Sequence, residues 1–203
     1  MSKTAQKLYQ LKIVLNDSHP PIWRRIVVPS DITFFDLHVY IQDAMGWGDC
    51  HLHQFFIGSA YASQCLTLPF ADTEWEDGQI DERKYKLTDF LKVENQWISY
   101  EYDFGDGWSH RITLEKILTP EAGVTYPVCI GGKRACPPDD CGGVWGYEEL
   151  CEILKNPKHK EHQDMLDWLC LADADEFEPE FWEPENFSDP GQVLKQYKKF
   201  GMI

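Results

Sequence analysis

The segment YEYDFGDGWSHRITLEKI, residues 100–117, decides the fold of this chain together with CPPDDCGG at residues 136–143. In the first segment, apolar residues alternate with polar ones on both sides of a Gly-Asp-Gly turn, which predicts two antiparallel strands. The second motif has too much proline and glycine for a helix or a strand, so it predicts an irregular loop. The two motifs combine an aromatic hairpin, charged at its tip, with a loop rich in thiols and carboxylates.

The register of this hairpin decides a chemical question. A two-residue turn would set Asp103 opposite His110, as an acid–imidazole pair. A three-residue loop instead pairs Tyr102 with His110. It also sets Glu101 opposite Arg111, and cross-strand pairs of opposite charge are stabilising. We therefore expect the three-residue loop, which turns the His110 ring toward the core.

Upstream of this hairpin, the sequence predicts another hairpin, a helix and a further strand. Apolar residues alternate with polar ones over residues 9–28, interrupted by two prolines, which predicts the first hairpin. Thr33 and Asp36 have the spacing of a capping box and Gly46 suits a C-cap, so a helix is expected between them. The next strand is expected over residues 51–57. The order strand, strand, helix, strand is typical of a β-grasp sheet.

The other predicted segments are, in chain order, an irregular acidic insertion (58–84), a short helix (87–91), a solvated turn (131–134), two helices (147–154 and 165–170), an aromatic and acidic strap (173–189) and a last helix from 189. The chain is therefore expected to be a single α+β domain over residues 1–203. Its β-grasp-like sheet part would cover residues 8–118. A part made of the Cys/Pro/Gly loop and helices would cover residues 119–203.

Composition limits the partners and the compartment. The chain has 203 residues, of which 34 are acidic and 19 basic, for a net charge of −15. Such a surface disfavours direct nucleic-acid binding, which depends on cations that neutralise phosphates, and leaves a basic protein or peptide as the expected partner. No apolar run approaches the roughly 20 residues needed to span a bilayer. The first residues lack a signal-peptide core, so a cytoplasmic location and free thiols are expected.

Histidines, carboxylates and thiols supply the candidate site. The candidate cleft residues are His51, His53, Asp103, Asp106, Trp108, His110, Asp139 and Asp140. Because His51 and His53 are two apart on a predicted strand, their rings would leave the same side, as chelation requires. Together with Cys136 and Cys141, this pair would complete a tetrahedral shell for zinc or another divalent metal. The alternative roles are hydrogen-bonded strand histidines, a core His110, and small thiols in a tight loop; no catalytic residue is assigned.

Six stretches of the chain resemble the plasmid pRiA4b ORF-3-like family. They are PIWRRIVVP, FFDLHVYIQDAMGW, HLHQFFIG, YEYDFGDGWSH, YPVCIGGKRACPPDDCGG and FEPEFW, within about residues 8–182. The resemblance implies a single α+β domain with a β-grasp-like sheet, and it brings no established catalytic residues. Some members carry a resolvase-like label linked to mobile elements. This chain lacks the serine nucleophile among arginines and the basic helix-turn-helix that a serine recombinase needs.

Two functions remain open at this point. The first is a non-catalytic binding or adaptor domain for a protein or peptide partner, associated with a mobile element or a regulatory protein. The second is a metal-dependent hydrolase, in which a bound ion acidifies water and Asp106 or Asp139 acts as the base. Convergence of the 51–53 strand, the hairpin tip and the 136–143 loop on one cleft would favour the enzyme.

Overall fold

The computed structural model describes residues 6–58, 64–68, 78–183, 187, 194–195, 197 and 199. Within these residues, one eight-stranded sheet carries four α-helices, so the protein is α+β, as the sequence predicts. The described residues include no helix that is both long and apolar enough to cross a membrane.

The sheet follows the order β5-β4-β3-β6-β7-β1-β2-β8. Its strands are β1 (Leu8–Leu15), β2 (Trp23–Pro29), β3 (His53–Ile57), β4 (Gln64–Thr67), β5 (Gln79–Asp81), β6 (Trp97–Tyr102), β7 (Trp108–Leu118) and β8 (Val128–Lys133). Only the β4–β5 pair among these is parallel. The helices are α1 (Phe34–Met45), α2 (Leu87–Phe90), α3 (Gly143–Lys155) and α4 (His162–Trp168), with 3-10 turns at Glu82–Lys84 and Ala174–Glu176.

Helix α1 begins and ends where its sequence predicts. The Thr33 hydroxyl accepts a hydrogen bond from the Asp36 amide at 3.1 Å, and the Asp36 carboxylate accepts one from the Thr33 amide at 2.8 Å. This reciprocal pair satisfies two amides that the first turn leaves without helical partners. At the other end, Gly46 takes a left-handed φ of 101° and donates to the carbonyl of Gln42. Between these caps, most side chains of α1 are buried in the core.

The register of the β6–β7 hairpin differs from both registers considered above. Tyr102 lies opposite Trp108, and Tyr100 lies opposite His110. The expected pairing of Tyr102 with His110 is therefore wrong, and residues 103–107 form a longer connection. The inward orientation of His110 is nevertheless confirmed, because Tyr100, Tyr102 and His110 are all fully buried.

Asp103 explains the longer connection. Its backbone is left-handed, with φ at 54°, and its carbonyl accepts a hydrogen bond from the Gly107 amide at 2.6 Å. Its side chain also accepts from the Gly105 amide at 2.9 Å, so the connection begins at residue 103, two residues earlier than expected. The expected pair of Glu101 with Arg111 is lost in this register.

Two segments expected to be irregular contribute strands. The insertion over 58–84 contains β4, β5 and a 3-10 turn among its described residues. The segment expected to be a solvated turn at 131–134 lies largely in β8, which pairs with β2. A Cβ on Gly132 would lie 2.3 Å from the Trp182 indole, so glycine there lets the strap pack against the sheet edge. The helix expected from residue 189 lies outside the described residues, apart from 194–195, 197 and 199.

Candidate functional site

Three segments that are distant in sequence meet at one end of the sheet. The hairpin tip is tied to the loop before β3 by a hydrogen bond from the Asp103 amide to the Leu52 carbonyl, at 2.8 Å. The tip is also connected to the loop of residues 136–143, which we call the Cys/Pro/Asp/Gly loop, by a hydrogen bond from the Gly142 amide to the Asp106 carboxylate at 3.1 Å. A Cβ on Gly143 would lie 2.4 Å from the Asp106 carbonyl oxygen. Glycine at that position therefore permits the close approach of the two loops.

Where these segments meet, His51, Asp103 and Asp140 form a group that we call the loop cluster. The Nε2 atom of His51 lies 3.4 Å from Oδ1 of Asp140 and 3.7 Å from Oδ2 of Asp103. One ligand atom from each residue lies within 4.8 Å of the other two. The Asp103 side chain is 10% exposed and that of Asp140 is 72% exposed, so the cluster has a buried side and an open side.

A second group, the core cluster, contains His38 of α1 together with Asp49 and His53. The two imidazole rings stack with their centroids 3.3 Å apart and their planes within 3° of parallel. His38 bridges Asp49 and the Tyr100 hydroxyl, with both contacts at 2.8 Å. His53 contacts the fully buried Glu82 carboxylate through Nε2, also at 2.8 Å. Each ring thus has a carboxylate of its own.

Burial opposes the charged form of both His38 and Asp49 in the core cluster. Desolvation, followed by the neighbouring His53 ring, lowers the pKa of His38 despite the nearby Asp49. Burial tends to raise the pKa of Asp49, but hydrogen bonds from His38 and Tyr197 outweigh it and leave that pKa below its ordinary value. Stacked parallel rings direct their nitrogen lone pairs along parallel planes rather than toward a common point. The core cluster is therefore arranged as a hydrogen-bonded network rather than as a chelating pair.

Trp108 and His110 lie in the core beneath the hairpin tip. The Nδ1 atom of His110 donates to the Trp108 carbonyl at 2.9 Å, and both side chains are fully buried. Burial lowers the pKa of His110 to about 4, which keeps the ring neutral at pH 7. Neither residue belongs to the loop cluster or the core cluster.

The structure separates the four residues predicted as a zinc shell. His51 belongs to the loop cluster, whereas His53 belongs to the core cluster. Among the described residues, no three of His51, His53, Cys136 and Cys141 bring ligand atoms within 4.8 Å of one another. Burial raises the pKa of the Cys136 thiol well above its ordinary value and that of Cys141 to about 12. Both thiols are therefore protonated at neutral pH in this structure.

A third feature, the helical groove, runs between α3 and α4. It encloses about 320 Å³. Its apolar lining comes from Leu150, Ile153, Met165 and Trp168. Its charged lining residues are all acidic: Asp140, Glu149 and Glu161. The groove thus combines an apolar floor with a negative rim.

Sequence comparison then assigns the chain to a family. The family model described as plasmid pRiA4b ORF-3-like protein matches residues 7–188. The chain belongs to the plasmid pRiA4b ORF-3-like family. It is 38% identical over 167 residues to "Uncharacterized protein y4hQ" of Sinorhizobium fredii, covering 82% of each protein. It is also similar to the crystal structure of "Protein of Unknown Function MM3350" from Methanosarcina mazei, with a TM-score of 0.80 and 43% identity, over 91% of this chain and 99% of that one.

For this member of the plasmid pRiA4b ORF-3-like family, the sequence indicated three residues of the loop cluster but missed most of the core cluster. His38 carried a usable signal, because it lies four residues after Phe34 and three before Ile41, on the apolar face of α1. A histidine at that spacing is expected to be buried. Glu82 had no comparable signal, because it lies in the acidic segment that was expected to be irregular.

Proposed function

We propose that this protein is a non-catalytic binding domain that holds a basic, amphipathic segment of a protein partner in the helical groove. The observation that carries the proposal is the charge pattern of the groove. Its apolar floor would accept the apolar face of a partner helix, and its acidic rim would contact flanking lysines or arginines. The β-grasp-like sheet would serve as the rigid scaffold beneath it.

Three further observations support a peptide rather than a nucleic acid or a small anion. The groove lining includes three carboxylates and no lysine or arginine. The protein as a whole carries a net charge of −15. Trp168 keeps 44% of its surface exposed at the groove, and tryptophan is enriched among the residues that dominate binding energies. The family description names a plasmid open reading frame, which agrees with a partner encoded by a mobile element.

The test uses a fluorescein-labelled model peptide in which leucines recur at helical spacing among lysines. A matched peptide has glutamate at each lysine position. Fluorescence anisotropy is expected to detect binding of the basic peptide alone, with an affinity that falls as salt rises, because salt screens exposed charges. Comparable binding of both peptides, or of neither, contradicts the proposal.

A pair of double variants locates the binding surface. Reversing the rim charges with Glu149→Lys and Glu161→Lys is expected to weaken binding of the basic peptide by about 10-fold or more, through lost attraction and added repulsion. Glu176→Lys with Glu178→Lys makes the same change in net charge at two exposed positions that do not line the groove. Equal weakening by both double variants would mean that binding depends only on net charge.

Metal-dependent hydrolysis is the second candidate, supported by the convergence of the three loop segments. It requires a bound ion, with Asp139 or Asp106 as the base. The Asp106 carboxylate already accepts a hydrogen bond from the Gly142 amide, whereas Asp139 has a buried oxygen without a hydrogen-bond partner. Asp139 is therefore the better base of the two. Hydrolysis of model esters and phosphoesters that depends on added metal and is lost in Asp139→Asn would support this candidate.

A further inference from the structure

The loop cluster places an imidazole beside two carboxylates without a hydrogen bond to either. The His51 Nε2 distances of 3.4 Å and 3.7 Å exceed the roughly 2.7–2.9 Å of a charge-assisted hydrogen bond. The same nitrogen is shielded from solvent and has no other hydrogen-bond partner. Leaving a buried polar group in this state is energetically unfavourable. A ligand that satisfies the nitrogen and both carboxylates would remove that cost.

The separations of these atoms match those around a tetrahedral metal ion. Zinc binds histidine nitrogen and carboxylate oxygen at about 2.0–2.2 Å, so two ligand atoms at the tetrahedral angle lie about 3.4 Å apart. The two separations in the structure are 3.4 Å and 3.7 Å, and all three ligand atoms lie within 4.8 Å of one another. We propose that His51, Asp103 and Asp140 bind one divalent transition-metal ion, and that Zn²⁺ fits this donor set best.

Asp103 is oriented for this role before any ion binds. Its Oδ1 atom accepts a hydrogen bond from the Gly105 amide at 2.9 Å, which leaves Oδ2 on the side of His51. Its own amide donates to the Leu52 carbonyl next to His51, which holds the two ligand-bearing segments together. Hydrogen bonds of this kind fix the direction of a metal ligand and raise its affinity.

The open side of the loop cluster supplies access. The Asp140 side chain is 72% exposed, so an ion can enter from solvent and water can take the fourth position. Two carboxylates also balance the charge of a divalent cation when the imidazole is neutral. One nitrogen and two oxygens form a donor set that binds zinc, manganese or iron, and it is harder than the two-histidine, two-cysteine shell expected from the sequence. The two proposed sites share Asp140, which also lines the helical groove, whereas His51 and Asp103 belong to the loop cluster alone.

The test measures zinc binding to the untagged full chain after treatment with a chelator. Isothermal titration with Zn²⁺, checked by metal analysis after dialysis, is expected to give one ion per chain. His51→Gln and Asp140→Asn should each weaken binding by at least about 100-fold, since loss of even a supporting residue costs about 10–100-fold. Asp140 has a left-handed φ of 60°, which asparagine also adopts, so this exposed substitution preserves the fold.

Two controls identify the site. Asp31→Asn removes an exposed carboxylate away from the cluster and is expected to leave zinc affinity unchanged. Cys136→Ser with Cys141→Ser is also expected to leave it unchanged, because neither thiol belongs to the loop cluster. The proposal is overturned if wild-type protein binds no zinc, if binding survives in His51→Gln and Asp140→Asn, or if the cysteine variant loses it. Binding of the basic peptide is also measured with the His51→Gln protein. Because His51 does not line the helical groove, this measurement separates failure of the metal site from failure of peptide binding.

Discussion

The buried His110 ring makes the stability of this protein depend on pH. Burial lowers its pKa from 6.5 to about 4 in the folded protein. Between these two values the unfolded chain binds a proton that the folded chain does not, so its contribution is complete above pH 6.5 and is lost as the pH falls toward 4. The difference between the two pKa values corresponds to about 3 kcal/mol at pH 4.

The variant His110→Gln isolates this contribution. Glutamine retains an N–H that can donate to the Trp108 carbonyl but does not titrate. Urea unfolding followed by tryptophan fluorescence, at several pH values from 7 to 4, gives the free energy of unfolding of each protein. We expect the difference between wild type and variant to shift by about 3 kcal/mol over this range, in the direction that disfavours the wild type at acid pH.

The matched control replaces an exposed histidine. His19→Gln makes the same substitution at an exposed histidine, so it tests whether a change in pH dependence is specific to His110. Other groups also titrate between pH 7 and 4, but they are common to all three proteins and cancel in the comparison. If the wild type and His110→Gln lose stability in parallel as the pH falls, the neutral buried state of His110 is refuted.

Two further predictions concern the Cys/Pro/Asp/Gly loop. Gly146→Ala should lower the free energy of unfolding, measured with urea, by about 1–3 kcal/mol, because the new Cβ would lie 2.0 Å from the Cys141 carbonyl oxygen. This loss is expected even though alanine favours a helix by about 1 kcal/mol relative to glycine. A more stable variant would show that the loop can move aside without cost. Because burial raises the pKa of Cys136 and Cys141, both should react with iodoacetamide at pH 8 more slowly than the exposed Cys50, as followed by mass spectrometry. Equal rates at the three thiols would contradict the raised pKa values of Cys136 and Cys141.

The predictions that succeeded depend on local chemistry. The capping box of Thr33 and Asp36 joins residues three apart, so its hydrogen bonds follow directly from the spacing. The C-cap at Gly46 likewise reflects the backbone freedom of glycine. The alternation of apolar and polar residues on both sides of the Gly-Asp-Gly turn also located β6 and β7, because this pattern too acts between neighbouring residues.

The predictions that failed depend on contacts between distant segments. Cross-strand charge pairing favoured Glu101 opposite Arg111, but the structure sets Arg111 opposite Ser99 and places its guanidinium 4.2 Å from the Trp97 ring centroid. The left-handed backbone of Asp103 shifted the register, and its amide bonds to Leu52 across the sheet. A pairing rule applied to one hairpin takes no account of this contact with the loop before β3.

The sequence by itself determined the α+β class, the family, the principal hairpins and helix α1, because hydrophobic periodicity and capping act over a few residues. It also indicated the residues of the loop cluster. The tertiary structure alone decided which of them meet: His51 faces Asp103 and Asp140, whereas His53, two residues later, stacks on His38. The physical reason is that His51 precedes β3, which begins at His53, so its neighbours are set by hydrogen bonds between loops from distant parts of the chain and not by the alternation of a strand.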